Sequence, residues 1–312
     1  MTALICGSLA YDNIMVFPGR FRDHILPDRI HMLNVAFMVP EMRREFGGCA
    51  GNIAYNLHGI GGKALPMGTV GQDFGPYMER LQSLGIDTRH ILAVGERFTA
   101  QAYITTDLDD NQITAFHPGA MEDSHRNRVP VDQGVSIGIV APDGRQGMLE
   151  HARQFAEAGI PFVFDPGQGL PLFEAGELRD FIELASWVSV NDYEASLLQQ
   201  KTGLAPAEIA GRVRALVITR GGEGSIVWVG DRRLDIPPVR ASAVVDPTGC
   251  GDAYRAGLLL GLMHGADWEV TGRLASLLGA LKIASPGTQN HPLSAQGVAS
   301  AFRESFGFDH GL

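Results

Sequence analysis

The sequence is poor in cysteine and contains no long apolar run. Its 312 residues include 3 cysteines, and these lie far apart at positions 6, 49 and 250. This number and spacing argue against a disulfide framework or a cysteine-rich metal site, and they fit the reducing cytoplasm. No apolar stretch reaches the ~20 residues of a membrane-spanning helix. The apolar start of the chain has no basic segment before it, which indicates a core strand and not a signal peptide.

The chain also lacks an excess of positive charge. Lys and Arg number 25 against 35 Asp and Glu, which gives a formal net charge of −10. A nucleic-acid-binding surface needs clustered cations, so we expect neither a nucleic-acid nor a membrane partner. An acidic protein can still bind ATP, because backbone amides, Mg²⁺ and single cations hold phosphates locally. The chain has no Walker-type Gly-x-x-x-x-Gly-Lys-Ser/Thr motif and no Gly-x-Gly-x-x-Gly after its first strand. A P-loop NTPase or a dehydrogenase is therefore disfavoured.

Hydrophobic residues make up 45% of the chain, and they form short apolar runs that alternate with helical patterns. The runs predict strands at 3–6, 64–70, 135–140, 162–164, 187–190, 215–219 and 225–229. Helices are predicted from residue 50, over 77–84 and from 252 to 263. This alternation predicts an α/β fold in which helices cover both faces of a mainly parallel sheet. No linker divides the chain, so we expect a single domain over residues 1–312.

Two stretches interrupt this alternation. Residues 33–39 are rich in β-forming residues, and the runs 100–106 and 112–116 flank a polar turn, as in a β-hairpin. Such strands either form a lid over a site, drawn here as about 14–39 and 99–117, or add an edge to the main sheet. The pattern supports both. Exposed lid edges can pair with a second subunit, which leaves a homodimer and a monomeric lid as alternatives.

The strongest chemical motif is the segment Asp246-Pro247-Thr248-Gly249-Cys250-Gly251-Asp252, which follows a strand-like run at 243–245 and opens a helix. Its two glycines carry no side chain, so successive N–H groups can point at an anion at the helix N-terminus. The Asp252 carboxylate can reach a substrate hydroxyl beside that anion, and the helix dipole should keep its pKa low. The competing interpretation is an ordinary N-cap aspartate after a glycine turn, which the Gly-x-Gly-Asp motif alone favours.

The longer pattern resembles the signature of ribokinase-like, PfkB-type carbohydrate kinases. The matching residues are Asp246, Thr248, Gly249, Gly251, Asp252, Ala253, Ala256 and Gly257. A glycine cluster at 47–52, and Gly7 with Asp12, resemble earlier motifs of the family in the expected order. The resemblance implies a three-layer αβα sandwich with a small β lid. It also implies ATP-dependent phosphorylation of a primary hydroxyl, with Asp252 as general base. The expected anion hole consists of the amides of Gly249, Cys250 and Gly251.

The resemblance assigns further residues to the substrate and to Mg²⁺. Asp12 would accept hydrogen bonds from two sugar hydroxyls, or it is a surface aspartate in a turn. Gly48 and Asn52 would line the sugar pocket, although Asn52 could instead cap a helix. Asn191 and Glu194 would organise Mg²⁺ near the ATP phosphates, with Glu194 on the metal side. The same pair fits a capping box, and both roles are compatible.

The remaining cofactor residues are expected near two glycine-containing loops. Thr219, Gly221 and Gly224 belong to the turn 219–224, which resembles the nucleotide-binding turn of the family. A lysine often found in this turn is absent. The resemblance also suggests a monovalent cation such as K⁺ beside the anion hole. Its oxygens would come from Asp246, Thr248, Ala284 and Gly287.

Several stretches resemble the bacterial adenosine kinase branch, namely 17–21, 26–31, 105–107, 112–113, 116–121, 191–194 and Arg255. Adenosine is therefore the first acceptor that we expect. Phe116 would stack on the base or simply pack within the lid, and Gln168 is a further substrate-binding candidate. Ala36 and Ala102 stand where a hydroxyl and a second ring would help bind adenine. Another ribonucleoside or a free sugar is the second expectation, and a silent sugar- or nucleoside-binding regulator is the alternative of another class.

Overall fold

The computed structural model describes residues 1–25, 32, 34–109, 111–131 and 134–312. The strands are β1 (Thr2–Cys6), β2 (Ala10–Val16), β3 (Glu41–Gly47), β4 (Lys63–Val70), β5 (Ile91–Ala93), β6 (Ala100–Thr106), β7 (Gln112–His117), β8 (Ile137–Val140), β9 (Phe162–Phe164), β10 (Trp187–Asn191), β11 (Ala215–Thr219), β12 (Ser225–Val229) and β13 (Arg232–Ile236). The helices are α1 (Cys49–Gly59), α2 (Gly75–Ser83), α3 (Arg145–Glu157), α4 (Ala175–Leu184), α5 (Asp192–Thr202), α6 (Pro206–Ala210), α7 (Cys250–His264), α8 (Trp268–Ile283) and α9 (Ala295–Phe306). Within the described residues, no helix meets the length and hydropathy that a membrane crossing requires.

The main sheet has the strand order β13-β12-β11-β10-β9-β8-β1-β4-β5. Neighbouring strands from β5 to β11 run parallel, and β12 and β13 are added antiparallel at one end. The prediction of a mainly parallel sheet is confirmed, and each strand predicted in the α/β alternation is present within two residues of its expected ends. These strands were detectable because parallel strands are buried on both faces and therefore form apolar runs.

Helices cover both faces of this sheet. In β1, Ala3 and Ile5 join a core formed with α1, α7 and α8, whereas Leu4 and Cys6 join a second core formed with α3 and α4. The alternation follows from the two-residue period of a strand, which sends successive side chains to opposite faces. The predicted three-layer αβα sandwich is confirmed. The carboxyl ends of the parallel strands all lie at one edge of the sheet, where ligands of open α/β sheets bind.

The lid is a separate four-stranded sheet of order β3-β2-β6-β7. β2 and β6 are parallel, and β3 and β7 pair antiparallel on the outside. The predicted hairpin of β6 and β7 is confirmed. The predicted strand at 33–39 is wrong over residues 34–39, which form no strand, and β3 takes its place in the lid. Residues 26–31 of the adenosine-kinase-like stretches, residue 33 and turn residue 110 lie outside the described residues.

The approach to the motif at 246–252 also differs from its prediction. Residues 243–245 form no strand. The N–H groups of Val245 and Asp246 instead donate to the carbonyl oxygen of Ile283, at 2.8 and 3.1 Å. The run Ala-Val-Val has the composition of a strand, but Val244 and Val245 are exposed and have no neighbouring strand to pair with in the structure. The motif is therefore attached to the end of α8.

Candidate active site

The predicted site residues line two adjacent cavities at the carboxyl edge of the main sheet. The first has a volume of about 710 Å³ and lies between this edge and the lid. Its walls include Asp12, Gly48, Asn52, Phe116, Gln168, Asn191, Glu194, Thr219, Gly221, Gly249, Gly251 and Asp252. The remaining two, Gly224 and Cys250, line the second cavity. The fold thus brings together residues that are up to 240 positions apart in the chain.

The second cavity has a volume of about 670 Å³ and shares Thr219, Gly221 and Gly251 with the first. The N-terminus of α7 lies where the two meet. Sequence reasoning missed most of the wall of this cavity, which includes Pro238, Val239, Val244, Ser276, Gly279, Ala280 and Ile283. These residues come from a loop and from α8, and no local pattern distinguishes them from ordinary core or loop positions. A space of this size and apolar character suits a purine ring.

The first turn of α7 presents free backbone donors to both cavities. Gly249 has a φ of +80°, and a Cβ atom there would lie 2.9 Å from Cγ2 of Thr288, so a side chain is excluded. The N–H of Cys250, predicted as part of the anion hole, is not free, because it donates to the carbonyl oxygen of Pro247 at 3.2 Å. The N–H groups of Gly249, Gly251 and Asp252 have no acceptor among the described residues. Unpaired donors at a helix N-terminus are suited to an anion.

The Asp252 carboxylate stands beside these amides. Its Oδ2 accepts a hydrogen bond of 2.8 Å from Nδ2 of Asn52. Burial raises the pKa of Asp252 to about 6, and the hydrogen bond from Asn52 opposes that rise only in part. The prediction of a low pKa at this helix start is wrong, because burial removes water from the carboxylate and disfavours its charged form. A carboxylate that titrates near neutrality is a stronger base than an exposed one.

Asn52 is held by a chain of buried hydrogen bonds. Its side chain is 4% exposed, and its Oδ1 accepts from Nε2 of Gln289 at 3.0 Å. The same Nε2 contacts the Tyr77 hydroxyl at 2.6 Å, and that hydroxyl donates to the carbonyl oxygen of Gly47 at 2.9 Å. The alternative that Asn52 caps a helix is wrong, because Gly48 is the N-cap of α1. Asn52 therefore orients Asp252, a contact that sequence reasoning missed.

Asp12 lies inside strand β2 of the lid, not in a turn after the first strand. A Cβ atom on Gly47 would lie 2.4 Å from Oδ2 of Asp12, so the absence of a side chain at 47 leaves room for the carboxylate. Burial raises the pKa of Asp12 to about 6, and the negative charges of Glu45 and Asp246 add to this rise. A poorly hydrated carboxylate is stabilised when it accepts hydrogen bonds from the two hydroxyls of a diol.

Two further predicted substrate residues lie on the rim of the first cavity. Phe116 on β7 is 52% exposed, and it pairs across the lid with Ala102 on β6. Gln168 is exposed and lies in a short 3₁₀ helix over 167–172, with its Nε2 3.9 Å from the Cys49 sulfur. Both side chains retain free surface for a ligand.

A buried ion pair joins α7 to the main sheet, and sequence reasoning did not identify it. Nε and Nη2 of Arg255 donate to Oδ2 and Oδ1 of Asp165 at 3.0 and 2.9 Å. The two side chains are 6% and 4% exposed. Asp165 directly follows β9, and Arg255 lies one turn after Gly251, whose carbonyl oxygen is 3.4 Å from Nη1. This bidentate pair fixes the N-terminal turn of α7 relative to the sheet.

Asn191 and Glu194 form the capping box that the sequence suggested. The Asn191 side chain accepts from the N–H of Glu194 at 2.7 Å, and Oε2 of Glu194 accepts from the N–H of Asn191 at 2.8 Å. Oε1 of Glu194 accepts from Nδ2 of Asn191 at 2.9 Å. Burial, followed by the charge of Asp165, raises the pKa of Glu194. The carboxylate is thus held rigidly at the cavity wall.

Comparison with known proteins identifies this arrangement. A family model described as pfkB family carbohydrate kinase matches residues 12–296. The chain belongs to the pfkB family. A structure of the Burkholderia thailandensis nucleoside kinase with inosine superposes with a TM-score of 0.90 at 53% identity, covering 99% of both chains. The same relative with ADP and inosine gives 0.88 at 55% identity, covering 99% of this chain and 97% of the other.

A more distant relative is also a nucleoside kinase. The nucleoside kinase of Methanocaldococcus jannaschii is 30% identical over 260 residues, which is 83% of this chain and 85% of that protein. Its solved structure has a TM-score of 0.89. The pfkB protein described here is therefore an ATP-using kinase of a sugar or nucleoside hydroxyl on a ribokinase-like fold. The predicted family, fold and enzyme class are confirmed, which sets aside the silent regulator.

Proposed function

We propose that this kinase transfers the γ-phosphoryl group of ATP to the 5′-hydroxyl of ribonucleosides, including adenosine and inosine. The observation that carries the proposal is the placement of Asp252. Its carboxylate lies in the first cavity, and the adjacent amide of Gly251 lines both cavities. An acceptor under the lid and a donor beside α8 would therefore meet at the base and the anion hole.

The lid supports a nucleoside as the acceptor. Asp12 would accept hydrogen bonds from a ribose diol, and Phe116 would stack on a base. Ala102, opposite Phe116, provides no group that can form hydrogen bonds to a base edge. We expect stacking without edge recognition to admit several bases. Adenosine, our first expected acceptor, is thus proposed as one of a set, and the inosine bound by the Burkholderia relative is consistent with that breadth.

The reaction requires one proton transfer and one displacement. The Asp252 carboxylate takes the proton of the 5′-hydroxyl, and the oxygen forms a bond to the γ-phosphorus. The bond between this phosphorus and the β–γ bridging oxygen breaks, and ADP leaves. The amides of Gly249, Gly251 and Asp252 stabilise the negative charge on the transferred group. Asn52 holds Asp252 in place throughout.

Mg²⁺ and the remainder of ATP have suitable residues on the other side of α7. Each oxygen of Glu194 accepts one hydrogen bond and keeps a lone pair for a water or an ion, so Asn191 and Glu194 fit the incomplete protein shell that Mg²⁺ uses. Bound with ATP, Mg²⁺ would neutralise phosphate charge. Thr219, Gly221 and Gly224 would contact the phosphates and ribose. The apolar second cavity would hold the adenine of ATP.

The exposed edge of the lid and the free cysteines bear on assembly and location. All six residues of β7 are exposed. Its outer edge has no partner strand within the part of the chain described. We propose a homodimer through the lid, with a monomeric lid as the alternative, and a cytoplasmic location in which the free thiols of Cys6, Cys49 and Cys250 remain reduced. A small-molecule acceptor needs neither nucleic acid nor a membrane.

The test is a screen of ADP release with adenosine, inosine, guanosine, cytidine, ribose, fructose and hexose phosphates. We expect several nucleosides to be phosphorylated, with higher kcat/KM than any free sugar. Asp252→Asn should lower kcat by about 10²–10⁴-fold and leave nucleoside binding, measured by calorimetry, within a few-fold. Activity with a hexose phosphate and none with nucleosides would overturn the acceptor, and near-normal turnover of Asp252→Asn would overturn the role of the base.

A further inference from the structure

Lys282 is a buried cation that the mechanism above does not use. The chain has only three lysines, at positions 63, 201 and 282. Lys282 lies in the last turn of α8, and its side chain is 0% exposed. Removing an ammonium group from water is costly unless oxygen atoms replace its hydration. The oxygens that surround Lys282 therefore indicate which part of the structure its positive charge stabilises.

Those oxygens belong to the start of the catalytic motif and to the loop after α8. The ammonium nitrogen donates to the carbonyl oxygen of Asp246 at 2.6 Å and to that of Ser285 at 3.3 Å. It lies 3.9 Å from Oδ1 of the Asp246 carboxylate. Two carbonyl oxygens and a carboxylate are the ligand types that a small cation would use in a protein.

Asp246 extends these contacts to the anion hole. Its Oδ1 accepts from the N–H of Thr248, and its Oδ2 accepts from the N–H of Gly287, both at 2.9 Å. The first contact shapes the turn that leads into Gly249 and α7. The second joins this turn to the loop that carries Thr288, which packs against Gly249. Lys282 thus supports the free amides from behind.

The same position is where the family resemblance suggested K⁺. Three of the four residues expected to supply oxygens are already part of this arrangement, namely Asp246, Thr248 and Gly287, and Asp246 binds the ammonium of Lys282. A free cation placed beside Asp246 would be repelled by a fixed positive charge and would compete for the same oxygens. The residues present therefore do not fit a K⁺ site.

We propose that Lys282 is a positioning residue whose fixed ammonium takes the place of a free monovalent cation behind the anion hole, so that phosphoryl transfer needs no K⁺. This inference rests on the proposed function. Loss of the ammonium would leave the Asp246 carbonyl oxygen and carboxylate without their cation. The turn would shift, and the amides of α7 would no longer match the transferred phosphoryl group.

The first test uses the unmodified enzyme. Turnover of inosine is measured with the tetramethylammonium salt of ATP and MgCl₂, and then with added KCl, NH₄Cl or tetramethylammonium chloride at equal ionic strength. We expect kcat to differ by less than about threefold among the three salts. A larger stimulation by K⁺ or NH₄⁺ would overturn the inference. Absence of turnover with every nucleoside in every salt would instead contradict the proposed function.

The second test replaces the ammonium. Lys282→Ala should lower kcat by about 10²-fold with little change in KM for inosine. K⁺ or NH₄⁺ should restore part of that loss, because the deletion leaves room and oxygens for a free cation. The matched control is Lys201→Ala. Lys201 also donates to two carbonyl oxygens, of Pro171 and Phe173 at 3.0 and 2.7 Å, and neither acceptor belongs to the motif at 246–252.

The control should show neither the loss of kcat nor a dependence on the cation. A folded Lys282→Ala variant that loses activity without any rescue would show a merely structural role and would overturn the proposal. If that variant fails to fold, circular dichroism will reveal it, and the salt series on the unmodified enzyme still decides the question.

Discussion

The pH dependence of turnover tests the roles of Asp252 and Asp12 separately. Burial raises the pKa of each carboxyl to about 6, well above the ~3.9 of an exposed aspartate. One pH unit below its pKa, a carboxyl is only about one-tenth ionised. In the proposed mechanism both groups must be ionised in the free enzyme, Asp12 to bind the diol and Asp252 to take the proton. We therefore expect kcat/KM to fall about 100-fold between pH 8 and pH 5.

The value of kcat reports the complex with bound nucleoside. If Asp12 has its proposed role, the substrate hydroxyls donate to it there and keep it ionised. Only Asp252 should then titrate, and kcat should fall about tenfold over the same range. The assay measures AMP or IMP by chromatography, which avoids coupling enzymes at low pH. Asp12→Asn serves as the control. Only Asp252 can titrate in this variant, so log kcat/KM should fall with a slope of one against pH. A kcat that stays flat down to pH 4.5 would refute Asp252 as a base with a raised pKa.

Two further predictions concern stability. Arg255→Met leaves the Asp165 charge buried without its partner, so urea denaturation should show a loss of about 3–5 kcal/mol, most of which Asp165→Leu in the same chain should recover. A loss below ~1 kcal/mol would contradict the importance of that pair. Burial raises the pKa of Asp143 to about 8, and its Oδ2 has no partner among the described residues. The protonated carboxyl contributes fully to folding stability below pH ~4, and this contribution is lost as the pH rises through 8. The Tm of Asp143→Asn should therefore exceed that of the unmodified protein by an amount that grows from pH 5 to pH 8.5. The same gain at both pH values would count against this reasoning.

How far the sequence predicts the fold depends on where each strand is buried. The strands of the main sheet were predicted because helices cover them on both faces, which requires continuous apolar runs. β3 was missed because a lid strand is open to solvent and carries Arg43 and Arg44 between its other polar residues. The opposite error occurred at Val244-Val245, which was predicted as part of a strand because it is apolar, although both residues are exposed. In each case the burial of the segment determined whether the prediction of a strand was right, and a local pattern reports burial only indirectly.

The same limit applies to the site. The motif around Asp252 identified the reaction because its glycines and carboxylate are local requirements of an anion-binding helix start. The pKa of Asp252 was not predictable from that motif, since its burial depends on groups that fold against it from elsewhere. Asn52 lies 200 positions before Asp252, and Gln289 lies 237 positions beyond Asn52. Hydrogen bonds of this range leave no periodic signal in a single sequence.

The reaction and the choice of acceptor are supported by different parts of the molecule. The proposed anion hole is held by buried contacts, with Arg255 joined to Asp165 on one side and Lys282 joined to Asp246 on the other. A substitution there changes stability and turnover together. The part of the first cavity proposed to bind the base is formed by the lid, where Phe116 is half exposed and contributes little to the core. Substitutions on the lid can therefore alter the acceptor at little cost in stability, which explains why the motif identifies the chemistry of this kinase more firmly than its substrate.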